Sequence, residues 1–176
     1  MANVIFDVAE AASNWNGLLK ALEFIRNNEV YVGIPDDGNA RKEEELKEVT
    51  NAELLFIHTN GSPKMNIPPR PVIEPAIEND VTRLNSMMKK AAKFAFDGNE
   101  AEATRQLKLV GMRGQSICRD WFYNEDNGWP PDSPATIAAK MKGKPTGYEP
   151  RTLIDTSQMK NSIIYFVKTK GGRIKW

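Results

Sequence analysis

An imidazole is the side chain best suited to moving protons near neutral pH, and this chain has one, His58. A single histidine excludes a His-rich metal site. The single cysteine, Cys118, excludes an intramolecular disulfide and any multi-cysteine zinc site. A Cys118–His58 nucleophile pair is the one arrangement these two residues could still form. Against it, Cys118 sits beside Ile117 on the apolar side of a helical pattern, where cysteine usually serves as a small buried hydrophobe. Carboxylates are numerous, but runs such as Glu43-Glu44-Glu45 read as a solvated face and single out no acid–base pair. The segment Gly111-Met112-Arg113-Gly114 lies within a helical pattern and lacks the lysine and hydroxyl of a phosphate-cradling loop. The expectation is therefore no catalytic set, no metal site and no cofactor: a protein that is not an enzyme.

Charge and hydropathy narrow the partners. Lys and Arg total 24 against 23 Asp and Glu, so no overall positive field draws the chain to phosphate backbones. The local exception is the C-terminus, where Lys168, Lys170, Arg173 and Lys175 precede Trp176. It could touch a nucleic-acid backbone or an acidic protein, although lysines on an edge hairpin also serve to discourage edge pairing. The N-terminus carries no basic region before an apolar run, and no window of about 18 apolar residues occurs, so neither secretion nor membrane spanning is expected. One cysteine fits a reducing compartment, the cytoplasm, as the place of synthesis.

The elements that must position these residues are legible from periodicity and caps. Val4 to Val8 reads as a short strand or the approach to a first helix. From Asn14, Trp15, Leu18, Leu19, Leu22 and Ile25 form a helical stripe that stops at Asn27-Asn28. Glu29 to Pro35 reads as a strand, and Asp36 to Glu48 as a polar loop. Thr50-Asn51-Ala52-Glu53 has capping-box spacing and predicts a helix through His58 that ends where Gly61 takes a left-handed conformation. Five of the eleven prolines fall between Ser62 and Pro75, which makes that stretch a stiff connector. One long helix from Ile73 to Ala95 follows, then a turn of about three residues and a second long helix from Asn99 to Trp121, an antiparallel pair. Gly111 and Gly114 within the second helix point to a close neighbour or a kink. Ser133-Pro134 predicts a short helix to about Met141, and Leu153 to Asn161 one or two helical turns capped by Asp155 or Thr156. Ser162 to Thr169 and Arg173 to Trp176 read as a hairpin about Gly171-Gly172.

At 176 residues the expectation is one domain, 1–176, with a polar loop at 36–48 and a C-terminal β-hairpin at 162–176. The fold class is α+β: a small antiparallel or mixed β-sheet packed against a long antiparallel helical hairpin with short accessory helices.

Three segments occur in an order that resembles the virion-morphogenesis and tail-completion families of tailed bacteriophages. The first joins Tyr31-Val32-Gly33-Ile34 to the helix Asn51 to Gly61 and then to Ile67-Pro68-Pro69-Arg70-Pro71-Val72-Ile73. It is similar to the family's strand, helix ending in glycine, and Ile-Pro-x-Arg-Pro pattern. The second runs from Leu109-Val110-Gly111 to Ile117 and on to Trp129-Pro130-Pro131-Asp132-Ser133-Pro134-Ala135-Thr136, with Lys140 after it. The third is Thr152-Leu153-Ile154-Asp155-Thr156-Ser157-Gln158-Met159-Lys160-Asn161-Ser162-Ile163. Together they span about residues 29 to 168. The chain departs from the pattern at Ser157, where glycine is usual, at Val72, where an aromatic often follows the proline, and in the long acidic insertion 36–48. The resemblance implies a structural virion protein at the head–tail junction or upper tail, forming a ring with itself, commonly sixfold. Its other partners would be neck, connector, tail-tube or terminator proteins, with a passing contact to genomic DNA in the lumen. Pro68, Pro69, Arg70, Pro71, Trp129, Pro130, Pro131, Arg173 and Trp176 are the candidate subunit or partner contacts.

Overall fold

A computed structural model describes residues 8–35, 49–170 and 172–174, with the side chains of residues 8–14, 173 and 174 outside the description. The readings of Val4 to Asp7, of the 36–48 loop and of Trp176 fall outside the described residues. The fold is α+β, as composition and periodicity indicate. The chain groups into two compact units, neither continuous in sequence: residues 1–31, 82–113 and 166–176 form the first, and 32–81 and 114–165 the second.

In the first unit, helix α1 (Val8–Asn27) precedes the opening residues of strand β1 (Glu29–Gly33). Helices α4 (Val81–Phe96) and α5 (Glu100–Asp120) form the expected antiparallel hairpin. Its turn is explained by its hydrogen bonds. The Asn99 N–H donates to Phe94 O at 2.8 Å and the Gly98 N–H to Ala95 O at 3.1 Å, while Gly98 holds φ +74°. That pair of bonds is a Schellman stop. Asn99 then caps the next helix, its side-chain oxygen accepting from Glu102 N at 3.1 Å. Ala91 and Ala95 of α4 are buried with Leu107 and Ala103 of α5, respectively, so small side chains let the two helices approach. Strands β2 (Ile164–Thr169) and β3 (Gly172–Ile174) pair antiparallel, Val167 opposite Ile174 and Thr169 opposite Gly172, in a sheet of order β1-β2-β3. The Tyr31 and Phe166 rings stack at 5.0 Å. The α1 stripe identified in the sequence is solvent-facing: Trp15, Leu18, Leu19, Leu22 and Ile25 are all exposed, and Ala21 with Phe24 supplies the packed side instead.

The second unit holds helices α2 (Asn51–Asn60), α3 (Ile73–Asn79), α6 (Pro134–Met141) and α7 (Gln158–Ser162), together with the end of α5. The capping box of α2 is complete, with Glu53 N donating to Thr50 Oγ1 at 3.1 Å and Thr50 N to Glu53 Oε2 at 2.9 Å. Helix α6 starts on Ser133, whose Oγ accepts from Thr136 N. Leu55, Val72, Ala76, Cys118, Trp121, Phe122, Ile154, Met159 and Ile163 make the core. Gly114 permits the close approach its position suggested, since a Cβ there would lie 2.8 Å from Val32 Cγ2.

Three expectations are corrected. The single long helix after the prolines breaks at Asp80 (φ −111°, ψ 14°) into α3 and α4, because Asn79-Asp80 joins two residues whose short polar side chains compete with helical hydrogen bonding. Helix α7 is capped by neither Asp155 nor Thr156 but follows Ser157, which adopts φ +60° and makes no side-chain cap bond. Gly61 ends α2 at φ 72°, ψ 175°, a region essentially restricted to glycine, rather than in the left-handed helical region. A Cβ on Gly61 would meet Ile67 O at 2.8 Å and Pro69 N at 2.9 Å, both backbone atoms that cannot rotate away. Gly61→Ala should therefore lower unfolding free energy by about 3 kcal/mol, combining forbidden backbone geometry with steric overlap. A chemical-denaturation midpoint unchanged from the parent protein would refute that account.

Candidate functional site

The proline segment positions one cation in the second unit. Pro68, Pro69 and Pro71 fix φ on either side of Arg70, and the Arg70 N–H donates to His58 O in the last turn of α2. The residue is only 6% exposed. Two of its three guanidinium nitrogens bond within the chain: Nε and Nη2 donate to Pro130 O at 3.1 and 2.9 Å, and Nη2 also donates to Pro131 O at 2.9 Å. The same nitrogen pairs with Asp132 Oδ1 at 3.2 Å. The second Asp132 oxygen accepts from Lys140 Nζ at 2.8 Å, and Nζ donates again to Arg151 O at 2.7 Å. One buried and one partly buried cation thus share one partly buried carboxylate, and three backbone carbonyls offset the surplus positive charge.

A second tie runs in parallel. Trp129 Nε1 donates to Pro71 O at 2.9 Å, and the Trp129 ring meets Phe122 edge to face at 5.7 Å. A third joins Asn51, 2% exposed at the start of α2, to Ser162 Oγ at 3.0 Å. Arg119 of α5 donates to Asn161 O and Ile163 O.

Above the Arg70–Asp132–Lys140 cluster lies an open groove of about 750 Å³. Leu54, Met65, Ile67, Pro68, Leu153 and Met159 supply apolar walls, and His58, Asn66, Thr136, Gln158 and the ionic cluster supply polar ones. The only non-glycine residues with positive φ among the described residues, Asn66, Leu153 and Ser157, all line this groove. Such backbone strain collects where a surface must be held in a set shape.

Among the candidate contacts, Pro68, Arg70 and Pro131 line the groove, whereas Trp129 and Pro71 bond to each other beside it. Arg70 and Trp129 thus act as internal ties, leaving the surrounding loop surfaces to face outward. Pro69, Pro130 and Pro131 are exposed. Arg173 lies on β3 opposite Lys168, with its side chain outside the described residues. The basic C-terminal lysines face acids of their own unit, Lys168 Nζ 3.9 Å from Glu29 and Lys170 Nζ 3.3 Å from Glu23. The Lys170 contact holds the Glu23 carboxyl below the usual carboxylate range. Sequence reading missed Asp132 as the shared partner of Arg70 and Lys140, and Ser162 as the partner of Asn51. Only their recurrence within the same three segments hinted at them.

Cys118 is fully buried in the core, its Sγ turned toward Ile73 O at 4.0 Å, and burial pushes its thiol up to about 12. At neutral pH it is protonated and inaccessible, the reverse of what a nucleophile requires. No group of three His, Cys, Asp or Glu side chains among the described residues is placed to hold a metal ion. No helix among them is long and apolar enough to cross a membrane. Compared with protein-family models, with curated proteins and with solved structures, the chain matches none.

Two outcomes are expected. Arg70→Met should cost about 3 kcal/mol in unfolding free energy, because it leaves Pro130 O, Pro131 O and one Asp132 oxygen without the donor that holds them; a loss below about 1 kcal/mol would show that water from the groove replaces those bonds. Cys118 should label with a thiol reagent at the rate of global unfolding, so labelling within seconds in native buffer would contradict its burial.

Proposed function

We propose that this chain is a non-enzymatic structural subunit of the neck or upper tail of a tailed bacteriophage, acting in tail completion or head–tail joining as a closed ring of copies. It is made in the host bacterial cytoplasm and ends in the virion, where it meets connector, terminator or tail-tube proteins, with genomic DNA passing through the lumen.

The observation that carries the reading is the mutual bonding of the three segments on which the resemblance rests. The first binds the second through Arg70 to Pro130, Pro131 and Asp132 and through Pro71 to Trp129. The first binds the third through Asn51 to Ser162, and the second binds the third through Lys140 to Arg151 O, immediately before Thr152. Segments that recur together in order, and are also tied pairwise in space, are parts of one device. That device holds proline-rich loops rigidly beside a groove. Loops fixed before docking lose little entropy on binding, as an assembly joint requires. The buried, protonated Cys118 supports a non-enzymatic role.

Negative-stain electron microscopy of the purified full chain tests the proposal. Closed rings, sixfold or of another fixed order, that attach to purified phage connectors or tail tubes are expected. Particles that never close, together with no attachment to either, would overturn it.

A further inference from the structure

Helix α1 is amphipathic in the unusual sense: its large apolar residues face water. At 3.6 residues per turn, Trp15, Leu18, Leu19, Leu22 and Ile25 fall within roughly 120° of the helix circumference. They are exposed by 60, 37, 48, 49 and 39%. The packed side of the same helix is made by Ala21 and Phe24, around the cylinder from the stripe. A helix that buries alanine and exposes three leucines, an isoleucine and a tryptophan has kept its main apolar face for something else.

We infer that this α1 face is the surface through which one copy of the chain docks on another. The inference deepens the ring reading and rests on it for the assembly's purpose, while the choice of occupant is argued from area and charge. The five side chains leave roughly 500 Å² of mostly apolar surface, at the upper end of the largest patch a monomer tolerates. Covered by an equal area of a second copy, that becomes roughly 1,000 Å² in total, where specific interfaces begin. No charge lies at any of the five positions, and the chain carries a net charge of only +1, so copies meet without long-range repulsion. A membrane surface fits less well. Such helices carry a Lys- and Arg-rich polar face, whereas the described polar positions here mix Lys20 and Arg26 with Glu23, Asn16 and Asn27.

Sedimentation velocity on the full chain, over a concentration series, compares the parent with Leu19→Glu/Leu22→Glu and with the milder Leu22→Ser. Circular dichroism and thermal melting confirm that each variant folds, as exposed positions allow. A parent assembly that falls to the 19.8 kDa single-copy mass in the double variant, and dissociates at higher concentration in Leu22→Ser, is the expected result. A parent assembly unaltered by both variants overturns the inference but leaves the ring reading standing. An assembly dissolved by the substitutions that electron microscopy shows to be an open pair upholds the inference and removes the ring. A parent that is monomeric throughout, or that sediments with anionic lipid vesicles in place of self-associating, overturns the inference.

Discussion

The second unit is organised by one constraint: a guanidinium taken largely out of water must find acceptors within the chain. Arg70 meets it with two consecutive proline carbonyls and one carboxylate. Proline offers a carbonyl but no N–H, so the Pro130-Pro131 strip cannot be held by a sheet ladder and needs a donor from elsewhere. A planar fork of five N–H groups can serve two successive carbonyls and a carboxylate together, which the compact ammonium of lysine cannot. Lys140 takes the complementary task of satisfying the other Asp132 oxygen while fixing the backbone at Arg151. Removing one member therefore leaves another short of a partner, Asp132 most of all, since both of its oxygens are held by these cations.

Groove shape depends on that fixation. Helices α6 and α7 have 8 and 5 residues, too short to be stable on their own, so their positions come from tertiary ties rather than propensity. The left-handed backbone at Leu153 and Ser157 costs about 1–2 kcal/mol per residue for side chains with a Cβ. Strain of that size persists because Asn51 to Ser162, Arg119 to Ile163 O and the Met159 and Ile163 core contacts over-determine the path. The same logic explains Ser157 as a departure from the glycine that the resemblance would place there. The position demands a conformation glycine adopts freely, and this chain accepts the cost.

What was legible in the sequence was local. The Thr50 to Glu53 capping box, the Ser133-Pro134 start of α6 and the short turn between α4 and α5 each declare themselves within about five residues, because their hydrogen bonds close over that distance. The partners of Arg70 lie about 60 residues away, and no periodicity encodes a bond of that span. The interruption at Asp80 was hidden because the apolar spacing continues across it, each helix burying its own stripe: Ala76 on one side, Leu84, Ala91 and Ala95 on the other. The outward face of α1 was likewise invisible, since hydrophobic period reports which residues share a face but not whether that face is covered.

That last ambiguity bears on where apolar burial stabilises this chain. A chain destined to stay alone gains by turning its richest apolar stripe inward, where about 25 cal/mol per Å² of burial contributes to folding. The first unit instead packs Ala21, Ala91, Ala95 and Ala103 with Leu107 and Val167, contacts in which the alanines bring backbones close but bury little side-chain area of their own. The apolar area left on α1 then contributes to stability only when another surface covers it. The second unit combines an apolar core with the Arg70–Asp132–Lys140 ties, while Phe56 and Met65 remain exposed on it. The two units thus differ in where burial acts: the second fixes its loops through internal bonds, while the first leaves its largest apolar stripe, on α1, exposed.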